Sequence, residues 1–299
     1  MNILSLEHLT HSYTERKLFD DADFYLHEGD KVGVIGINGT GKSTLLKIMA
    51  GLETPDEGQV IQASNLMIHY LPQNPEFSEE DTVLQSVQNM VHHHANENEL
   101  IAAKAMLTRL GITDFEQKTR ELSGGQRKRL ALVSVLITPC DVLILDEPTN
   151  HLDSEMADWL ENKLQAFRGA LVMVTHDRYF LDSVTNKIIE LDKGKIYSYD
   201  EKYSGFLQRK AEREESVRAG ERKRQSILRK EIEWISRGAR ARSTKQKAHI
   251  QRYEALKNQK APEVDEKLRL SSISSRMGKT TIEIENVSKA YGENTLIRD

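Results

Sequence analysis

The segment Gly36–Ser43 constrains this chain more than any other, because it fills every fixed position of the phosphate-binding pattern GxxxxGK[ST]. A short β-branched run, Lys31–Ile35, precedes it, and a run with a strong apolar face, Thr44–Ala50, follows it. These flanks predict a strand, a tight glycine turn and the start of a helix, which together direct backbone N–H groups at a phosphate. The segment therefore predicts a nucleoside-triphosphate site.

The residues of this phosphate loop have separate expected roles. Gly36, Gly39 and Gly41 allow backbone conformations that residues with a Cβ resist, so consecutive N–H groups can converge on the β- and γ-phosphates. Lys42 adds a positive charge, and Ser43 offers a hydroxyl group to Mg²⁺. The residues expected to contact the nucleotide here are Gly36, Asn38, Gly39, Thr40, Gly41, Lys42, Ser43 and Thr44.

Three polar residues follow two further buried runs. Asp146 and Glu147 come after Val142–Leu145, and His176 comes after Ala170–Thr175. Because ligands of open parallel sheets lie beyond the carboxyl ends of the strands, we expect these side chains to face the phosphate loop. Asp146 can then hold Mg²⁺ through water, Glu147 can polarise an attacking water, and His176 can hydrogen-bond the γ-phosphate.

A second anion site is predicted at Leu122–Gln126, which precedes the helical run Arg127–Leu136. A serine and two glycines at a helix start present backbone N–H groups and the positive end of the helix dipole. Taken alone, this segment fits an ordinary N-capped turn equally well. The neighbouring motifs favour the anion site.

Composition excludes several classes of protein. The longest apolar runs are strand-sized, well short of the ~20 residues of a membrane-spanning helix. Met1–Leu4 lacks the basic leader and apolar core of a secretory signal, and the single cysteine, Cys140, excludes an intrachain disulfide. The net charge is -4, yet residues 201–270 carry +9 and the remainder -13. This asymmetry predicts a cytoplasmic protein with an acidic catalytic body and a basic partner-binding segment.

The motifs, in this order, resemble those of ATP-binding-cassette (ABC) proteins. The matches are Gly36–Ser43 with Walker A, Gln73 with the Q-loop, Leu122–Gln126 with the signature, Leu143–Glu147 with Walker B, Asp153 with the D-loop and His176 with the switch histidine. The resemblance implies an α/β P-loop NTPase fold with a RecA-like parallel core, an antiparallel β subdomain and a helical subdomain. It also implies a Mg²⁺-dependent ATPase in which Ser43, Gln73 and Asp146 hold the metal and Lys42, Glu147 and His176 are catalytic.

Two further expectations follow from this resemblance. Tyr13 matches the aromatic residue that stacks on adenine, although it also fits a core tyrosine. In ABC proteins two cassettes enclose two ATP molecules, each held by Walker A of one cassette and the signature of the other. Ser123 and Gly125 are therefore expected to bind ATP carried by a second cassette, in the same native chain or in a head-to-tail homodimer.

Details within the motifs resemble the ABC-F branch, whose twin-cassette proteins act on ribosomes. The Asn-His pair within Glu147–Asp153 and the segment Thr175–Asp182 are both similar to that branch. The segment Trp234–Ala248 resembles the interdomain linker of the Uup-like branch of ABC-F proteins. In that family the linker enters the ribosomal exit site and touches transfer RNA.

An internal repeat indicates how the chain is divided. Shifted by 278 positions, Leu4–Tyr13 lies over Ile282–Tyr291, and both copies alternate apolar and polar residues as an edge strand does. We predict a first cassette over residues 1–199 with a helical insertion near 74–138, a basic helical hairpin linker over 200–275, and the first strand of a truncated second cassette over 280–299.

The linker carries the nucleic-acid prediction. Between Trp234 and Tyr253 the charged residues are all basic, namely Arg237, Arg240, Arg242, Lys245, Lys247 and Arg252. Such side chains neutralise phosphates, which favours contact with tRNA or rRNA. Two alternatives stay open: a DNA-binding ABC ATPase of repair or recombination, and the ATPase subunit of an ABC transporter.

Overall fold

The computed structural model describes residues 1–14, 16–90, 97–236, 251, 253–258, 287–291 and 294–297. The strands are β1 (Asn2–Ser12), β2 (Lys17–His27), β3 (Lys31–Gly36), β4 (Glu57–Gln62), β5 (Ile68–Leu71), β6 (Val142–Asp146), β7 (Ala170–Val174), β8 (Lys187–Asp192), β9 (Lys195–Tyr199), β10 (Lys289–Tyr291) and β11 (Asn294–Ile297). The α-helices with defined bounds are α1 (Lys42–Met49), α2 (Val83–Met90), α3 (Glu97–Arg109), α4 (Gly124–Ile137), α5 (Ser154–Ala166), α6 (Arg178–Val184) and α7 (Tyr203–Ser236).

The chain divides into two units, Met1–Ser216 and Val217–Asp299. A six-stranded sheet of order β5-β6-β7-β3-β8-β9 is the centre of the first unit, and only β9 runs antiparallel to its neighbour in it. This arrangement confirms the predicted α/β fold with a parallel core.

Both faces of this sheet are covered, which explains why its strands are apolar along their whole length. On β6, Leu143 and Leu145 pack into the core shared with the helical insertion, while Val142 and Ile144 pack on the opposite face with α1 and the second sheet. Successive strand residues point to opposite faces, so a two-sided core demands an uninterrupted apolar run.

The second sheet corrects one expectation. We predicted an edge strand at the start of the chain, but β1 is the central strand of an antiparallel sheet of order β2-β1-β4. Leu4 pairs with Leu26 on one side and with Gln62 on the other. The alternating pattern arises because only one face of this sheet packs on the core, and that pattern does not distinguish edge from central strands.

The described part of the second unit is small. Residues 253–258 are helical, and Arg224 Nη1 on α7 donates a hydrogen bond to the Leu256 carbonyl at 2.8 Å. The hairpin of β10 and β11 pairs Lys289 with Ile297 and Ala290 with Thr295. Each of these residues lies 278 positions beyond its counterpart in the pairs His11↔Phe19 and Ser12↔Lys17 of β1 and β2.

Among the helices that the structure describes, none is both long and apolar enough to span a bilayer.

Candidate nucleotide site at the carboxyl edge of the sheet

The phosphate loop connects β3 to α1 and depends on its glycines. Gly41 precedes the first residue of α1 with φ +96°, a conformation that side chains with a Cβ rarely adopt. A Cβ on Gly36 would lie 2.6 Å from Thr40 Oγ1 and 2.9 Å from the Leu191 carbonyl, so this turn has no room for one. Lys42 Nζ donates to the Gly36 carbonyl at 2.9 Å, which holds the ammonium group within the loop.

Two acidic residues end β6 beside this loop. Asp146 pairs with Val174 on β7, and the Glu147 N–H donates to the Val174 carbonyl at 2.8 Å. Glu147 has a φ of +53°, a left-handed conformation that costs about 1–3 kcal/mol outside glycine. Both residues are buried, and within the described chain Asp146 Oδ2 and Glu147 Oε2 have no hydrogen-bond partner. Buried carboxylate oxygens without partners are costly, so this edge of the sheet is prepared for a ligand.

The ionisable groups of the site lie close enough to affect one another's pKa values. His176 Nε2 lies 3.4 Å from Glu147 Oε1. Burial raises the pKa of Glu147 above its usual range, and the nearby His176 opposes this change. Burial lowers the pKa of Lys42, and the charges of Glu147 and Asp146 oppose that change.

These residues line one cleft of about 400 Å³. The structure thereby brings together residues of four of the six motifs named in the sequence analysis, and Tyr13 with them. The lining residues are Tyr13, Leu18, Asn38, Gly39, Gly41, Lys42, Ser43, Thr44, Gln73, Asp146, Glu147, Val174 and His176. Leu18 and Val174 were not predicted, since an apolar side chain in a strand carries no local sign that it faces a ligand.

Tyr13 lies at one end of this cleft and is 61% exposed, which excludes the alternative of a core tyrosine. Its hydroxyl group donates a hydrogen bond to Glu53 and accepts one from Thr44 Oγ1 at 3.3 Å. The His11 ring packs edge-on against the Tyr13 ring at 5.1 Å between centroids. The aromatic face is thus held in place while it remains available to a planar ligand. Nothing in the sequence pointed to Glu53.

Ser123 and Gly125, the signature residues, lie at the amino end of α4. Ser123 caps α4, accepts a hydrogen bond from the Gln126 N–H, and donates its own N–H to Gln126 Oε1. This capping box satisfies two of the backbone donors that we had expected to face an anion. Gly125 lies against His151, whose Cβ would be 3.2 Å from a Cβ at position 125. Both signature residues lie outside the cleft that the phosphate loop forms.

Asp153, the D-loop match, has a local role in this structure. Its side chain accepts a hydrogen bond from the Met156 N–H and caps α5. In the neighbouring motif, Thr149 Oγ1 and Thr175 Oγ1 are 2.8 Å apart and join the turn after Glu147 to the end of β7.

Lys128 on α4 is the most informative residue that the sequence analysis missed. It is 4% exposed, and its Nζ donates to the carbonyl groups of Pro72, Gln73 and Asp146 at 2.7, 3.0 and 2.7 Å. Burial lowers its pKa to about 8, despite the opposing charges of Asp146 and Glu147. Lys128 lies between Arg127 and Arg129 in the sequence, so no local signal marked it as the buried member of this basic run.

The six residues of the predicted nucleic-acid contact lie outside the described residues. They are Arg237, Arg240, Arg242, Lys245, Lys247 and Arg252.

Comparisons with known proteins agree with this geometry. Two family models, both described as "ABC transporter", match residues 19–150 and 189–271. The uncharacterized ABC transporter ATP-binding protein YfmR of Bacillus subtilis is 42% identical over 99% of this chain and 53% of its own length. The energy-dependent translational throttle proteins EttA of Haemophilus influenzae and Escherichia coli K12 are 36% and 34% identical, each over 95% of this chain and 58% of their own length. The chain belongs to the ABC-F family of ATP-binding-cassette proteins.

Solved structures show the same fold as this ABC-F cassette. The ATP-binding subunit of an ABC transporter has a TM-score of 0.60 at 20% identity, over 66% of this chain and 89% of that subunit. A dimeric ATP-binding cassette bound to ADP and Pi has a TM-score of 0.57 at 23% identity, over 66% of this chain and 98% of that one. The chain spans little more than half the length of the curated relatives it matches. Placement in the Uup-like branch remains a prediction.

Proposed function

We propose that this ABC-F chain binds ATP in the cleft at the carboxyl edge of the sheet and hydrolyses it to ADP and phosphate. The observation that supports this most strongly is the pair of buried carboxylate oxygens, Asp146 Oδ2 and Glu147 Oε2, which lack partners in the described structure and line the cleft beside Lys42. An anionic ligand alone would be repelled there. A triphosphate with its divalent cation and an attacking water satisfies both oxygens.

Each segment of the cleft has a role in this proposal. Tyr13 stacks on the adenine ring, and Lys42 with the backbone N–H groups of the loop holds the β- and γ-phosphates. The remaining loop contacts are Gly36, Asn38, Gly39, Thr40, Gly41, Ser43 and Thr44, of which Gly36 and Thr40 shape the turn from within.

The donor set fits Mg²⁺. Ser43 and Gln73 offer neutral oxygen atoms, and Asp146 offers a buried carboxylate oxygen with no described partner, which suits a hard cation. These three residues would hold the ion. When bound, Mg²⁺ neutralises charge that develops on the phosphate oxygens.

In hydrolysis, Glu147 accepts a hydrogen bond from the attacking water and orients it toward the γ-phosphorus. The water oxygen bonds to that phosphorus as the bond from the phosphorus to the β–γ bridging oxygen breaks, and ADP leaves with the bridging oxygen. The proton of the water passes through Glu147 to the inorganic phosphate that forms. His176 Nε2 lies 3.4 Å from Glu147 Oε1, and the His176 side chain is 69% exposed. In this proposal His176 donates a hydrogen bond to the γ-phosphate beside Glu147.

A second cassette completes the site in this proposal, with Ser123 and Gly125 contacting its ATP. Ser123 is exposed and Gly125 is half-buried at the start of α4. Two observations support a second cassette in the native chain: the chain covers about half the length of its relatives, and the β10–β11 hairpin repeats the β1–β2 register. The division into a first cassette over 1–199, a linker over 200–275 and a second cassette from 280 rests on the same observations. A head-to-tail homodimer is the other arrangement.

We further propose that the protein is a cytoplasmic translation factor whose basic linker contacts tRNA or rRNA in the ribosomal exit site. The EttA relatives support this, because they are energy-dependent translational throttle proteins by name. The second family model matches residues 189–271, so most of the proposed linker belongs to a recognised segment of the family. ATP closes the cassette pair and presents the linker, and hydrolysis reopens the pair.

The test uses the full-length protein with Glu147→Gln and the matching change in the second cassette, sedimented with ribosomes with and without ATP. A second variant reverses Arg240, Arg242 and Lys245 to Glu. We expect ATP-dependent co-sedimentation that the linker variant loses. No co-sedimentation in any nucleotide state would contradict the ribosomal role, and competition with branched DNA or co-purification with a permease would then favour DNA repair or transport.

A further inference from the structure

Lys128 holds together three segments that meet at the candidate nucleotide site. Its Nζ donates to two consecutive carbonyl groups after β5, those of Pro72 and Gln73, and to the Asp146 carbonyl at the end of β6. An ammonium group has three N–H donors, so these bonds satisfy Lys128 completely. It has no donor left for a phosphate, and it therefore acts on the backbone rather than on the nucleotide.

The three carbonyl groups lie where the sheet ends. The pairing of β5 with β6 stops at Leu71 and Leu145, so Pro72 and Asp146 have left the β5–β6 ladder, although Asp146 still pairs with Val174 on β7. Peptide carbonyl groups at such a position need another donor or water. Lys128 provides that donor from α4, the helix whose first turn carries the signature residues Ser123 and Gly125.

Burial of an ammonium group without a carboxylate in direct contact is costly, because desolvation outweighs ordinary hydrogen bonding. An uncharged residue of similar size would avoid that cost if the only task were packing. The chain keeps a lysine here, and each of its acceptors belongs to a segment that carries a site residue. Gln73 and Asp146 both line the cleft.

We infer that Lys128 is a positioning residue that locks the backbone of Gln73 and Asp146 to the signature helix and so sets where their side chains meet the metal–nucleotide. The inference rests on the proposed ATP site, and it adds a physical connection between the signature turn and the metal-binding residues. A shift of the signature turn is transmitted through one side chain to the two residues proposed to hold the metal.

Arg127, the preceding residue, provides a matched control. Its guanidinium group also donates to two carbonyl groups, those of Thr119 and Arg120, at 3.2 Å each. Both acceptors lie in the single-turn 3₁₀ helix Thr119–Glu121, and neither residue lines the cleft. Arg127→Met and Lys128→Met therefore remove the same kind of interaction from the same helix at two different targets.

The first experiment compares cleavage by a glutamate-specific protease at two exposed sites, after Glu76 in the segment that follows Gln73 and after Glu121. We expect Lys128→Met to raise the cleavage rate after Glu76 about tenfold, because loss of charged hydrogen bonds increases the open population. Arg127→Met should instead raise cleavage after Glu121. Each variant should thus affect only its own cleavage site, and the experiment is done without nucleotide.

The second experiment measures the affinity of the chain for a fluorescent ATP analogue with Mg²⁺ and with EDTA. Lys128→Met should reduce the gain from Mg²⁺ about tenfold while affinity in EDTA stays within about twofold, since displacement of Gln73 and Asp146 weakens the metal contacts and leaves the phosphate loop intact. Arg127→Met should leave that gain unchanged.

If Lys128→Met does not fold, Lys128→Gln, which keeps two N–H donors, is measured in its place and should show the same directions with smaller changes. Equal cleavage after Glu76 in wild type and a folded Lys128 variant would overturn the inference, as would an equal effect of Arg127→Met at that site. A wild-type chain with no gain from Mg²⁺ would contradict the proposed metal site instead, and the cleavage pattern would still decide the role of Lys128.

Discussion

Two buried glutamates of the first unit show opposite ways of handling a carboxylate. Glu147, at the end of β6, has one oxygen with no partner in the described structure and a strained backbone. Glu190, on β8, is equally buried but accepts hydrogen bonds from Lys210 at 2.5 Å, from Arg213 at 2.8 Å and from Tyr199 at 3.3 Å. Glu147 therefore keeps one unsatisfied oxygen, whereas three donors surround the carboxylate of Glu190.

The difference separates a ligand site from a structural anchor. The donors around Glu190 come from β9 and from the first turns of α7, and Arg213 also stacks on the Tyr197 ring at 3.7 Å. This cluster fixes the start of α7 to the sheet. Glu190 is paired in register with Ile35, which directly precedes the phosphate loop. Burial alone therefore does not distinguish the two glutamates, whereas the hydrogen-bond partners of their oxygen atoms do.

The largest expected effect is on hydrolysis. Glu147→Gln in the full-length protein, with the matching change in the second cassette, should lower the rate of ATP hydrolysis by about 10²–10³-fold, because the group that orients and deprotonates water is lost. ATP binding should remain and the closed form should accumulate. The check is steady-state phosphate release beside equilibrium ATP binding. Normal turnover in this variant would remove Glu147 from its proposed role.

The next effect concerns the anchor. Glu190→Leu should lower the free energy of unfolding by about 2–3 kcal/mol, because Lys210 and Arg213 lose their nearest carboxylate and keep only Glu214 at 4.0 Å and Asp192 at 3.7 Å. The partial exposure of Lys210 moderates the loss. ATP affinity should be unchanged. Chemical denaturation beside an ATP titration checks both statements, and a variant that lost ATP binding while still folded would break the distinction between anchor and site.

The anchor also has a defined pH dependence. Burial alone lowers the pKa of Lys210, but the hydrogen bond and charge of Glu190 outweigh it and raise that pKa above 10.5. The stabilisation is therefore complete below pH 10.5 and is lost as the pH rises through the raised value. We expect the stability gap between wild type and Glu190→Leu to narrow above that pH. A stability gap that stayed constant above that pH would mean that Glu190 does not raise the pKa of Lys210.

A smaller effect is expected at the phosphate loop. Lys42→Met should weaken ATP binding by about 2 kcal/mol, roughly 30-fold, because one charge-assisted phosphate contact is removed. Stability should change little, since Lys42 donates mainly to carbonyl groups of its own loop. Calorimetric titration with ATP provides the measurement, and a change under twofold would show that the backbone N–H groups dominate phosphate binding.

The smallest expected effect tests the contrast between Glu147 and Glu190 most directly. In the absence of nucleotide, Glu147→Gln should stabilise the fold by about 1 kcal/mol, because a neutral amide is less costly to bury than an unpaired carboxylate oxygen. Glu190→Gln should do the opposite. Thermal unfolding of the two variants side by side tests this, and a shift of the same sign in both would contradict the contrast between the two glutamates.

Elements whose signals are contiguous in the chain could be predicted without the structure. Gly36–Ser43 specifies a strand, a turn and a helix within one short segment, and the apolar runs before Asp146 and His176 place both residues at strand ends. Parallel pairing then brings those ends to one edge, so most of the cleft could be predicted. The long helix α7 was also predictable, because its periodicity is local.

Features that depend on contacts between distant segments could not be predicted from the sequence and became visible only in the folded structure. The central position of β1 depends on β4, about fifty residues away, and a strand's own pattern is the same at an edge and in the centre. Glu53 beside Tyr13, and Lys128 beneath Gln73 and Asp146, are adjacent only after the sheets and helices pack. The same packing distinguishes Glu147 from Glu190, because whether a buried carboxylate has partners depends on which donors the fold brings within 3 Å of it.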